Sequence, residues 1–206
     1  MSMAAAFSRS QALWFVSRAS GLAVLAAFSA TVVLGVAARL GSAPKRWSLL
    51  ALSELHRMLA LFSVSFLGLH VATAISDPYV TIGWAATVLP FASPYRTVAI
   101  GLGALAIDLG GAVLVTSLAR QRLGYRGWRV VHWLAYLAWP VAFAHSITVG
   151  NDLRIWWVAL VEYACALAVA TAMTARLLYC WRGSGVPGPP QPGPPDQVVP
   201  PERMLR

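Results

Sequence analysis

Five long apolar runs constrain this chain more than any other feature of its sequence. A helix of about 20 residues crosses the hydrocarbon core of a bilayer, and each of these runs is long enough to do so. Short connections with basic residues and prolines separate them. The runs extend from Leu13 to Leu40, from Leu49 to Ile75, from Val98 to Ala119, from Val130 onward and from Ile155 to Tyr179.

Composition supports the same class. The 206 residues are 58% hydrophobic and 11% charged, with a mean hydropathy of +0.65. These values predict an all-α integral membrane protein, a bundle of about five transmembrane helices in the lipid bilayer. The net charge of +9 does not indicate nucleic-acid binding, because the basic residues flank the apolar runs instead of forming one patch.

The same pattern predicts three regions. Residues 1–12 form a short N-terminal segment, and residues 13–182 form the membrane domain. Residues 183–206 are rich in proline and glycine and are predicted to be a disordered cytoplasmic tail. We expect the first run to be retained as a span, because a compact basic region and a clear small-residue cleavage site are lacking.

All four histidines of the chain lie in the second and fourth runs. His56 and His70 are fourteen residues apart, which places them on nearly one face of a helix and roughly 21 Å apart along it. His132 and His145 are thirteen residues apart, so an ideal helix would turn them roughly 140° from each other. A kink at Pro140, or a local change of helical winding, would bring both into line.

Ionisable side chains are costly in the hydrocarbon region, so two matched pairs of histidines favour a function over ordinary packing. One imidazole from each of two helices can supply the axial ligands of a haem iron. The pattern therefore predicts two haems between spans two and four, with His56, His70, His132 and His145 as metal ligands. The alternative is four histidines that are hydrogen-bonded in a helical core.

Several charged residues accompany these histidines. Arg18, Arg57 and Arg129 are candidate partners for haem propionates, since guanidinium groups bind carboxylates well. Arg18 could equally snorkel to the interface, and Arg57 could bind lipid phosphate. Asp108 lies in the third span and Glu162 in the fifth, near its start, where partial burial is expected. Each could relay protons or act only as a hydrogen-bonding group.

Basic residues also predict the orientation. They are concentrated in the connection between spans one and two, in the loop from Arg120 to Arg129, and in the tail. Because cytoplasmic loops carry the excess of lysine and arginine, the N-terminus is predicted outside and the C-terminus in the cytoplasm. His56 and His132 then share the cytoplasmic depth, and His70 and His145 share the outer one.

Two motifs resemble the ferric reductase-like transmembrane domain family. They are Leu55-His56-Arg57 and the segment Trp128–Trp133, together with the paired histidine spacing. The resemblance covers roughly Trp14 to Trp181. The family includes the haem-binding subunit of the bacterial methionine sulfoxide reductase system. It implies two b-type haems with bis-histidine ligation, transmembrane electron transfer and a bacterial plasma membrane.

The resemblance does not extend to a flavin or nicotinamide domain, so flavin is expected only on a separate partner. The first functional hypothesis is an electron-transfer cytochrome, an oxidoreductase or a subunit of one. It would pass electrons from a cytoplasmic flavoprotein or quinol to an outer acceptor, either ferric iron or a partner reductase. The alternative is a haem-free transport or packing subunit in which histidines line a polar path.

Overall fold

The computed structural model describes residues 3–41, 48–77, 80, 82–149 and 154–183. This part of the chain is helical and contains no β-strand. A short 3₁₀ turn, Ala85–Thr87, lies between the second and third of its α-helices. The six α-helices are α1 (Met3–Leu40), α2 (Leu49–Ser76), α3 (Thr97–Leu118), α4 (Arg120–His132), α5 (Leu134–Val149) and α6 (Trp156–Gly183).

Four of these helices are long and apolar enough to cross a membrane by themselves, namely α1, α2, α3 and α6. A fifth span results if α4 and α5 are counted together, since they follow one another with a bend of 45°. The fold is therefore the predicted all-α, multi-pass membrane bundle of four to five spans.

Both ends of α2 agree with their sequence signals. Helix α2 begins after Ser48, whose hydroxyl accepts a hydrogen bond from the Ala51 amide at 3.1 Å. It ends at Ser76, two residues before Pro78. This end is expected, because proline disfavours helical geometry in the residue that precedes it. Helix α1 begins at Met3, ten residues before the predicted span. Residues 184–206 of the predicted tail lie outside the described residues.

The predicted loop from Arg120 to Arg129 is wrong, because these residues form most of helix α4. Clustered arginines are typical of the connections between membrane spans, yet arginine, glutamine and leucine all favour helix. The helix is interrupted only at Gly124, whose φ of 69° lies in the left-handed region that glycine tolerates. Helix α4 is therefore a basic helix that leads directly into the fourth apolar run.

The helix carrying His132 and His145 breaks at Trp133, which separates α4 from α5. The Trp133 and Tyr136 amides bond carbonyls three residues earlier, at 3.3 and 3.0 Å, which is the tighter 3₁₀ winding. Pro140 lies inside α5 and is not where the break occurs. Proline removes the hydrogen bond to the carbonyl four residues earlier, here Tyr136, so the turn that it weakens adjoins the break.

Helix α1 is at the centre of the packing, against α2, α5 and α6, while α3 packs mainly on α5. The core of the bundle joins Val32, Trp139 and Val169 from three helices. The Trp139 indole donates a hydrogen bond to Ser29 Oγ at 2.8 Å, which satisfies its one polar atom. Helices α2 and α5 are not among the closely packed pairs. A gap therefore separates α2, which carries His56 and His70, from the α4–α5 segment, which carries His132 and His145.

Replacing Trp139 by alanine should lower the free energy of unfolding by about 3–5 kcal/mol, because it empties the core and leaves Ser29 without its donor. The control is Trp156→Ala, since Trp156 is 76% exposed whereas Trp139 is 8% exposed. Unfolding in detergent, followed by circular dichroism, would measure both. Equal losses for the two variants would contradict the packing described.

Candidate functional site

The four histidines form two pairs across the gap between α2 and the α4–α5 segment. The imidazole centres of His56 and His132 are 6.3 Å apart. Those of His70 and His145 are also 6.3 Å apart. The break at Trp133 lies between the two histidines of the second helix, and it changes the helical phase that would have turned them away from each other. The sequence predicted both pairings.

On the α2 side, both imidazoles are tied to helix α1. His70 Nδ1 is 2.7 Å from the Ser17 carbonyl oxygen, and His56 Nδ1 is 2.8 Å from that of Thr31. A carbonyl can only accept, so each Nδ1 carries the proton and donates it. This bond fixes the tautomer and leaves the Nε2 lone pair available to a metal.

The same contact recurs between α5 and α3. His145 Nδ1 donates to the Ala99 carbonyl at 2.7 Å. In each of the three cases, the residue four positions after the acceptor is a glycine: Gly21 after Ser17, Gly35 after Thr31, and Gly103 after Ala99.

These glycines make the contact possible, because they leave room for the imidazole against the helix. A Cβ built on Gly21 would lie 3.0 Å from His70 Cε1, and one on Gly35 would lie 3.2 Å from His56 Cε1. On Gly103 the distance to His145 Cε1 would be 2.7 Å, which no real Cβ tolerates. Each of these three imidazoles is thus held by the same device on the neighbouring helix, a carbonyl that accepts its hydrogen bond and a glycine one helical turn later.

His132 is held differently. Its Nδ1 is buried and has no hydrogen-bond partner within the part of the chain that the structure describes. The Trp128 ring packs on it instead, with centroids 4.8 Å apart and planes at 33°. The Trp128 indole donates to Ser117 Oγ at 3.2 Å, and the Arg120 guanidinium lies 4.7 Å from the Trp128 ring centre.

A family model described as ferric reductase like transmembrane component matches residues 20–143. The chain belongs to this family. A search of curated proteins and a search of solved structures find no match. The matched segment contains both histidines of α2 and His132, while His145 follows it by two residues. Membrane domains of the ferric reductase-like family generally bind haem, which can be tested against the residues present.

The residues fit a haem iron at each pair. Two imidazoles that ligate one iron from opposite sides, through nitrogens about 2 Å away, have ring centres roughly 6 Å apart. No cluster of three or more histidine, cysteine or acidic side chains suited to a metal occurs among the described residues. Each pair thus offers two ligands, the number that a six-coordinate haem iron takes from the protein.

The predicted propionate partners lie in three different surroundings. Arg18 is partly buried on α1, one turn before Gly21. Its guanidinium lies 4.9 Å from the Trp14 ring centre. Arg57 is 71% exposed and forms an ion pair with Glu54 at 2.9 Å. Arg129 is exposed on α4. Arg18 is therefore the only one of the three that lies partly inside the bundle.

Sequence reasoning missed Arg176, which lies beside the His132 end of the site. Its guanidinium lies 4.5 Å from the Trp133 ring centre and 5.0 Å from that of Tyr136. It also donates to the Tyr136 hydroxyl at 2.9 Å. The available signal was an arginine inside the fifth apolar run, before the aromatic residues that mark its end. Arg176 ties α6 to the break between α4 and α5.

The two membrane carboxylates differ in burial. Asp108, in the middle of α3, is exposed. Glu162 was expected to be partly buried, but it is 2% exposed. Its Oε1 accepts a hydrogen bond from Ser146 at 2.6 Å, while Oε2 is buried without a partner among the described residues. Counting turns from the helix start failed for Glu162 because burial depends on neighbouring helices, of which α5 supplies Ser146.

Gly103→Ala should weaken retention of haem in this ferric reductase-like domain, because its Cβ would push His145 away from the Ala99 carbonyl. We expect about tenfold faster haem loss, as outer partners of metal ligands typically contribute 10–100-fold in affinity. Transfer of haem to an apo-globin scavenger would measure the rate.

The matched control is Gly110→Ala on the same helix, where a Cβ meets nothing within 4 Å. This variant should keep the wild-type rate and gain about 0.5–1 kcal/mol of helix stability. Equal rates for the two variants would contradict the role given to Gly103.

Proposed function

We propose that this chain is a membrane b-type dihaem cytochrome, which transfers electrons across the bilayer from a cytoplasmic donor to an outer acceptor. The donor is a flavoprotein or quinol, and the acceptor is ferric iron or a partner reductase. The observation that carries the proposal is the pair of facing imidazoles at each of two depths, both at 6.3 Å. Membership of the ferric reductase-like family supports it independently.

The protein's own contribution is to hold the ligands. Three Nδ1–carbonyl bonds of 2.7–2.8 Å set the imidazole tautomer and orientation, and they raise the basicity of the opposite nitrogen. When bound, each haem supplies an iron that accepts and releases one electron. An iron held by two histidines would suit electron relay better than chemistry at the iron.

Each site takes one histidine from α2, so α2 fixes the separation of the two sites. Fourteen residues of helix between His56 and His70 correspond to a separation of roughly 21 Å along the axis. His56 and His132 form the site on the side of the basic helix α4. By the excess of arginine there, this side is assigned to the cytoplasm and His70 with His145 to the outer side.

The donor is assigned to a separate molecule. The described residues are helical and contain no β-strand, whereas a dinucleotide pyrophosphate is held by a strand, a glycine loop and a helix. A haem-free transport subunit is the competing class, and it would place Glu162 and the histidines along a polar path. The hydrogen bonds from three imidazoles to backbone carbonyls favour fixed ligands instead.

The purified protein, loaded with haem, should be reduced by dithionite and reoxidised by a ferric chelate. NAD(P)H alone should reduce it slowly or not at all, whereas addition of a flavin reductase or of a quinol should restore reduction. Stopped-flow absorbance at the α band would follow each step. Rapid reduction by NADPH without any flavin would contradict a separate donor, and failure of every acceptor would contradict an electron relay.

Labelling of single cysteines should place Arg122→Cys in the cytoplasm and Asn151→Cys outside, in a background where Cys165 and Cys180 are replaced. The physical reason is the retention of clustered arginines on the cytoplasmic side. A membrane-impermeant maleimide, applied to intact and to permeabilised cells, distinguishes the two sides. Labelling of Asn151→Cys only after permeabilisation would reverse the proposed direction of electron flow.

A further inference from the structure

His132 differs from the other three histidines in every contact that holds an imidazole in place. Its Nδ1 has no acceptor within the described part of the chain, while His56, His70 and His145 each donate to a carbonyl. Glycine contacts are seen for those three rings and not for His132. The ring instead has Trp128 packed on it at 4.8 Å.

The register of the helices shows why. On α1, the two acceptors Ser17 and Thr31 are fourteen residues apart, and so are Gly21 and Gly35. The same step along α3 leads from Ala99 to Val113 and from Gly103 to Ser117. A serine therefore stands where the fourth glycine would be. Its hydroxyl accepts a hydrogen bond from the Trp128 indole at 3.2 Å, so the indole occupies the approach to α3.

The backbone at His132 is also less constrained. His132 is the last residue of α4, and Trp133 after it breaks the helix. The other three histidines lie inside continuous stretches of α2 and α5. A side chain that has no orienting hydrogen bond, at the end of a helical segment, can rotate away from its position at a lower cost than its three counterparts.

We propose that His132 is an exchangeable ligand, and that the iron held by His56 and His132 takes up a small neutral π-acceptor ligand such as a diatomic gas. The bond from His132 Nε2 to iron breaks and one from the gas to iron forms, with no electron or proton transferred. The Trp128 ring provides an apolar surface for the released imidazole. The iron between His70 and His145 keeps both ligands. The proposal rests on the proposed haem function.

Carbon monoxide tests the proposal, because it binds ferrous haem only where an axial position opens. The full chain, loaded with haem and reduced with dithionite, should bind carbon monoxide at half of its haem. The readout is the amplitude of the carbon monoxide difference spectrum relative to total haem, measured at saturating gas. Binding at none of the haem, or at all of it, would overturn the proposal.

Two matched variants identify the site that binds. His70→Ala opens the other iron, so the bound fraction should rise twofold, from half to all. His56→Ala changes only the iron that already exchanges, so the bound fraction should stay at half. The opposite result, a rise with His56→Ala and no change with His70→Ala, would mean that the His70–His145 site exchanges its ligand.

The test still decides the proposal if a variant loses the haem at its own site. If His56→Ala abolishes haem binding at its own site, the remaining haem should bind no carbon monoxide, and binding there would overturn the proposal. Failure of the proposed function has a different signature, since the wild-type chain would then bind no haem at all. Full haem content without carbon monoxide binding would reject the exchangeable ligand alone.

Discussion

The hydrogen bond from an imidazole Nδ1 to a backbone carbonyl of the neighbouring helix is the interaction on which this site depends. A helical carbonyl already accepts a bond from the amide four residues later, so a second donor must approach beside that residue. Gly21, Gly35 and Gly103 occupy that position at the three bonds. The absence of a Cβ there lets the ring reach the carbonyl, and the bond then defines which nitrogen faces a metal.

The magnitudes indicate that the device serves orientation more than stability. A typical hydrogen bond contributes about 0.5–1.5 kcal/mol, whereas glycine within a helix costs roughly 0.5–1 kcal/mol relative to alanine. The two nearly cancel. Most of the stability must therefore come from packing, as at Trp139 between α1, α5 and α6. The weak packing between α2 and α5 leaves the space in which the imidazoles face each other.

Much of this fold could be predicted from the sequence, because spans of apolar residues and paired histidines are visible without a structure. His56 and His70 share a face at a spacing of fourteen. Bringing His132 and His145 onto one face required a break in the helix between them. Pro140 suggested such a break, and the structure has it at Trp133. Backbone acceptors such as Thr31 carry no side-chain signal, although the equal spacing of Gly21 and Gly35 with the histidines could have revealed them. The burial of Glu162 and its hydrogen bond from Ser146 result from packing against other helices, which periodicity in α6 does not report.

The haem content of two double variants tests the central claim most directly. A pyridine haemochrome assay of the purified wild-type chain should find two b-type haems per polypeptide. His56→Ala with His132→Ala should leave one, and His70→Ala with His145→Ala should leave one, because each pair facing at 6.3 Å is proposed to ligate one iron. A wild-type chain that binds no haem after haem supplementation, or double variants that both retain two, would contradict the account.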